Sequence, residues 1–203
     1  MRGQAYTLEA IVAAIIIVSA LLFALQVTAV TPLSASTSNQ HIENQQQSVA
    51  AGALAAAAET SVDVDGTEMS ALKEAVLYCD VDTDAPGFYD ADVPPVYTNR
   101  NPSHAFGRIL NRSFGTGIAL NVELHPEGGG DSVPMVEHGN PSDNAVTASR
   151  TVIVYDDDPV SSPGSSSTVA DLEHEDCIPV PEDDTVSDPV YSVVRVEVTV
   201  WRM

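Results

Sequence analysis

The chain has 203 residues, enough for one ordinary domain with an added segment and hardly enough for two domains. It carries 29 acidic residues against 8 basic ones, a formal net charge of −21. Nucleic acid is therefore excluded as a natural partner, because phosphate would be repelled rather than neutralised. The acid is spread along the whole chain rather than gathered in a tail, and Lys73 is its single lysine. Such a surface repels itself at low salt. At molar salt the Debye length falls to about 3 Å and the repulsion is screened.

In chain order, the first feature is a run from Ile11 to Val30 without a charge. At 1.5 Å per residue it reaches about 30 Å, the thickness of a hydrocarbon core. A secretory signal would have a shorter apolar stretch and a clear cleavage site after it. The run therefore predicts a long N-terminal transmembrane helix. Arg2 is the only basic residue before Lys73, which predicts a single-pass protein with a cytoplasmic N-terminus and everything after Val30 outside the cell. Glu9 sits at the mouth of the run. Taken alone, it is a solvated acid at headgroup level.

Arg2-Gly3, then Gln4, a few small or polar residues, Glu9 and an apolar helix: this order resembles the class III signal of archaeal type IV pilins and archaellins. The resemblance implies cleavage by a prepilin peptidase, with residues 1–3 as the leader and the apolar helix retained. Counted from Gln4, Glu9 is the sixth residue. Counted from Ala5 it is the fifth, the family's position, so the cut falls before Gln4 or before Ala5. The resemblance also implies that Glu9 pairs with a neighbour's N-terminal ammonium during filament assembly. In a packed apolar core such a pair matters more than at a wet surface, since the alternative is an uncompensated buried charge. The acid-rich, lysine-poor composition is similar to that of extreme halophiles and implies a haloarchaeal source.

Pro32 is expected to end this helix, giving a membrane and assembly segment over 4–31. Ser36, Thr37 or Ser38 then caps a second, stalk helix within 32–60, with Ile42, Val49, Ala53, Leu54 and Ala57 near one face. Asp63 to Gly66 reads as a turn. Residues 67–79 read as a helix capped by Thr67, because Met69, Leu72, Ala75, Val76 and Cys79 recur at helical spacing. Residues 80–95 read as loop. Residues 102–115 read as a helix begun by Pro102 or Ser103, with Phe106, Ile109, Leu110 and Phe114 as its apolar face. Strands follow: one alternates Ile118, Leu120, Val122 and Leu124, and a partner lies near 132–138 despite Pro134. Another strand carries Val152, Val154 and Asp156 on one face, and the strongest alternates Val194, Val196, Val198 and Val200. The expected architecture is α+β and pilin-like: a transmembrane helix, a helical stalk, and an acidic extracellular head over 61–203 built on a small, mostly antiparallel sheet.

Chemical motifs are sparse. Asp80, Asp82 and Asp84 open like a calcium loop, but Ala85 and Ala91 stand where Gly and Glu are needed. Asp156, Asp157 and Asp158 fall within the acidic background. His41, His104, His125, His138 and His174 are scattered, with no HExxH. His174 to Cys177 is a weak ligand set, since neighbours in a loop point apart. Cys79 and Cys177 lack metal spacing and are open either to a disulfide or to two buried thiols. No nucleophile elbow, Walker loop or dinucleotide loop is present. The expectation is a non-enzyme without cofactor. Asn111-Arg112-Ser113 is a glycosylation sequon, whereas Asn101 is followed by Pro102 and is not. Two functions are compatible with these residues. One is a pilin-like surface subunit, major or minor, that associates with copies of itself or with other pilin-like subunits. The other is a single-span anchored extracellular binding module that never polymerises.

Overall fold

The structure is a computed structural model. It describes residues 2–78, 97–98, 102, 104–128, 131–161, 167–171 and 189–203; side chains at 2–8, 26–39 and 97–98 fall outside the description. The chain divides into two compact units, Met1–Ile42 and Glu43–Met203.

The first unit is helical throughout. Helix α1 runs without interruption over Arg2–Glu59 and so continues into the second unit. Two expectations are corrected here. Pro32 does not end the helix, and Ser36, Thr37 and Ser38 lie inside it rather than capping a separate stalk helix. Proline removes one backbone donor at a cost of about 3 kcal/mol. The residues next to it, 27–31 and 33–39, are mostly Val, Thr and Ser, so the helix is carried across that gap by the Ala-, Leu- and Gln-rich runs further out, near 20–26 and 45–58. The expected transmembrane helix is also withdrawn. Among the described residues, no helix is long and apolar enough to cross a membrane.

In the second unit the last turns of α1 bury Ala50, Ala53, Leu54 and Ala57. These positions follow the i, i+3, i+4, i+7 stripe of a core-facing helix. Val49, expected on that face, is 36% exposed. Three of the four buried residues are alanine, which lets the backbone come close to its neighbours.

A hairpin follows, and it corrects the helix expected over 67–79. Strands β1 (Ser61–Val64) and β2 (Thr67–Ser70) pair antiparallel across Asp65-Gly66. Both turn residues have positive φ, 51° and 84°. This is the conformation of a type I′ turn, for which Asp-Gly is a preferred pair. Helix α2 is left with Ala71–Val76 only, and its cap is Ser70, not Thr67: the Ser70 hydroxyl accepts the Lys73 N–H at 3.1 Å. Cys79 and Cys177 lie outside the described residues, as do Asp80, Asp82, Asp84 and His174.

The main sheet has five strands: β3 (Tyr97–Thr98), β4 (Ile118–Pro126), β5 (Val133–Glu137), β6 (Val146–Tyr155) and β7 (Val190–Arg202), in the order β3-β5-β4-β7-β6. All pairings are antiparallel except the short β3–β5 contact. Residues Val194, Val196, Val198 and Val200 of β7 have no exposed surface, and Leu120, Val122 and Leu124 of β4 lie opposite three of them. Asp156, expected to share a face with Val152 and Val154, lies in the turn after β6. The β4–β5 register shifts between Val122 and Glu123, so the consecutive residues Met135 and Val136 are both buried. Among the described residues Pro134 is paired with Glu123 alone, next to the register shift and outside the short β3 ladder.

Helix α3 (Ala105–Ser113) buries Phe106 and Leu110. It begins after His104 rather than at Pro102 or Ser103. Gly107 allows this placement, since a Cβ there would come within 1.8 Å of the Pro102 carbonyl oxygen. The single lysine joins α2 to the end of β6. Lys73 Nζ forms an ion pair with Asp158 and lies 4.7 Å from the centre of the Tyr155 ring. The same Asp158 carboxylate accepts the Tyr155 N–H at 2.7 Å. Both charged side chains are largely covered, at 15% and 12% exposure.

Two stability outcomes are expected. Gly107→Ala should destabilise the second unit by about 1–3 kcal/mol in denaturant titration, because backbone rather than a flexible side chain blocks the added methyl. Lys73→Met should cost about 1–3 kcal/mol by leaving Asp158 uncompensated. Adding Asp158→Asn should recover part of that loss in a double-mutant cycle, while strictly additive effects would show that the pair is not coupled.

Candidate functional site

The most unusual surface lies on α1. Ile11, Val12, Ile15, Ile16, Ile17, Val18, Leu21, Leu22, Phe23 and Leu25 are exposed at 48–70%. At 100° per residue these positions point to every side of the helix, so no single stripe is involved. Glu9, just before them, is exposed as well. Arg2, Gly3 and Gln4 are in the first turn of α1, and the helix passes through the Gly3–Gln4 bond. The structure thus brings the expected processing residues, Glu9 and the apolar run onto one helical segment. Asn111 is exposed on α3.

A second concentration of polar groups covers the outer face of the sheet. His125 Nε2 lies 3.6 Å from Glu123 and 3.9 Å from Glu197. Arg195 lies between Glu127 at 3.3 Å and Glu197 at 3.4 Å. Beside this ladder a cavity of about 230 Å³ is lined by Asn121, Glu123, Ser132, Pro134, Val136 and Glu137. Asn121 is committed to structure: its Oδ1 accepts the His138 N–H at 2.9 Å and its Nδ2 donates to the Gly139 carbonyl at 3.0 Å. One guanidinium and one imidazole stand here among three carboxylates, Glu123, Glu127 and Glu197. Among the described residues, no group of three or more His, Cys, Asp or Glu side chains is arranged to hold a metal ion.

The third feature escaped sequence reasoning. His104 is 7% exposed and neither ring nitrogen has a hydrogen-bond partner among the described residues. Its ring lies 5.1 Å from that of Tyr78 and 6.5 Å from that of Phe106. Burial, seconded by the Arg108 charge, lowers its pKa to about 4. On α2, burial raises the pKa of Glu74, while the Ala105 N–H and Arg108 oppose that rise. Glu74 thus caps α3 from the neighbouring helix. A histidine before a short apolar helix carries no signal of burial, so only the packing reveals it.

The apolar helix, the polar sheet face and the histidine-centred helix junction define a small α+β protein with a large exposed apolar segment. The chain matches the family of unknown function DUF7288 over residues 2–200, and it belongs to that family. No curated protein and no solved structure matches it.

The junction generates a pH dependence. His104 has its folded pKa below the ordinary 6.5, so its contribution is intact above pH 6.5 and is lost as the pH falls toward 4. The loss is on the order of 3 kcal/mol for a group this well buried. Glu74 acts in the opposite sense: with its folded pKa raised above the ordinary 4.5, its contribution is present below 4.5 and is lost as the pH rises through the folded value. Denaturant unfolding of His104→Phe between pH 7 and pH 4 should therefore show a flatter stability profile than the parent protein. An unchanged profile would remove His104 as the source of the acid sensitivity.

Proposed function

We propose that this protein is a pilin-like structural subunit, processed near Gly3 and assembled through α1 into a filament at the surface of a halophilic archaeal cell. The observation that supports the reading most is the all-round exposure of the apolar side chains from Ile11 to Leu25. A helix apolar on every side is stable only inside something. Full cover of these side chains is worth roughly 15 kcal/mol or more. Association itself costs about 4–15 kcal/mol. A one-sided contact recovers only part of the gain, whereas packing among several copies of the same helix recovers most of it.

Glu9 fits this arrangement. Brought into a bundle of apolar helices, its carboxylate needs a cation, and α1 offers none between Arg2 and the end of the run. Cleavage before Gln4 or Ala5 by a prepilin-type peptidase frees an ammonium on each neighbouring copy, which compensates the acid. The net charge of −21 keeps the second unit hydrated and in contact with the medium. Asn111, exposed on α3, is available there for a glycan. The role is structural, with no catalytic step assigned to any residue.

The first test is the mass of the N-terminal peptide of the native protein. A start at Gln4 or Ala5 supports the reading; a start at Met1 or Arg2 overturns the processing step. The second test is Glu9→Gln. That variant is expected to fold and to be processed normally but to be lost from sheared surface filaments. Its normal incorporation would sink the role assigned to Glu9.

A further inference from the structure

Among the described residues β6 is the outer strand of the sheet and pairs only with β7. The direction of its backbone groups follows from two contacts at Thr147. Its hydroxyl lies 3.1 Å from that of Thr199, the residue directly opposite. Side chains this close mark a non-hydrogen-bonded pair, whose N–H and C=O groups point away from the neighbouring strand. The Thr147 carbonyl does point away, since it accepts the Gln47 side-chain amide at 3.3 Å. By the two-residue period, Ser149, Thr151 and Ile153 also turn their backbone groups outward. No backbone partner meets these three residues among the described residues.

Soluble proteins usually protect such an edge with charge, proline or an inward bend. β6 carries no proline, no lysine and no acid; Arg150 is its one charge. Of the other strands only the two-residue β3 also lacks an acid. β1 carries Asp63, β2 Glu68, β4 Glu123, β5 Glu137 and β7 Glu197. Ile153, on the outer face of β6, is 44% exposed, one of few large apolar side chains exposed in the second unit.

We propose that the free edge of β6 pairs antiparallel with the same edge of a second copy, joining two sheets into one. Charge argues for a second copy. Two bodies of net charge −21 meet without opposing carboxylates only along an acid-free strip. The strand is also self-complementary. A two-fold axis at Thr151 sets Thr151 against Thr151 and Ser149 against Ile153, which matches outward-pointing backbone groups on both copies. It sets Arg150 beside Val152 rather than beside the other Arg150. The contact strengthens with salt as the remaining acids are screened. It lies wholly within the second unit and does not depend on assembly through α1.

Oxidative cross-linking of the full-length protein in detergent at molar salt tests this pairing. Thr151→Cys should form a disulfide between substituted positions, identified by peptide mapping, about tenfold faster than Ser142→Cys on an exposed loop. The link should persist when Ile16→Asp is added to disrupt α1 association, and it should disappear when Ile153→Asp is added to charge the edge. Equal rates at 151 and 142, loss of the link with Ile16→Asp, or its persistence with Ile153→Asp would each overturn the proposal.

Discussion

The second unit depends on the register of β7. This strand sits between β4 and β6, and its valines at 194, 196, 198 and 200 are fully buried while Arg195, Glu197 and Thr199 face the other way. A slip of one residue would drive Arg195 and Glu197 into the core and lift the valines into water. Burying unpaired charge costs several kcal/mol per group, far beyond what any single contact returns. The end of α1, both short helices and strands β1, β2, β4, β5 and β6 contribute to the same buried cluster as these valines. β6, paired among the described residues with β7 alone, takes its place from the same constraint.

Charge shapes what surrounds that core. A chain with so much acid has few cations to place, and three of those described are used locally. Lys73 ties α2 to Asp158 and covers Tyr155. Arg195 separates Glu127 from Glu197 on the outer sheet face. Arg108 stands near Glu74 and His104, easing the burial of the first and adding to the cost of protonating the second. The surface acids need screening, whereas the charges near the core have specific partners. High salt therefore suits this protein by relieving long-range repulsion without dissolving these short pairs.

The apolar part of α1 obeys a different rule. In the second unit the helix is amphipathic and buries one stripe, mainly of alanine. In the first unit its side chains are apolar on every side and exposed. One helix therefore has two surroundings: the protein's own core near Ala50 to Ala57, and open exposure from Ile11 to Leu25. The assembly of like helices proposed above would cover the second stretch.

Much of this was legible in the residues. The two-residue alternation marked β4, β6 and β7, and the three- and four-residue spacing of Phe106 and Leu110 marked α3. The β1–β2 hairpin was missed although its Asp65-Gly66 signal was present, because Met69 and Leu72 satisfy a helical spacing equally well. Pro32 misled in the other direction, since a local rule about one missing hydrogen bond was outweighed by long helical flanks. Alternation determines which side chains share a face, and composition determines that the surface is anionic; both are properties of the chain alone. Which strand lies beside which, how His104 becomes buried, why Gly107 must lack a Cβ against Pro102, and where the lone lysine finds its acid were decided only by tertiary structure. Each depends on a contact between segments far apart in sequence, and no local pattern encodes the identity of a distant neighbour.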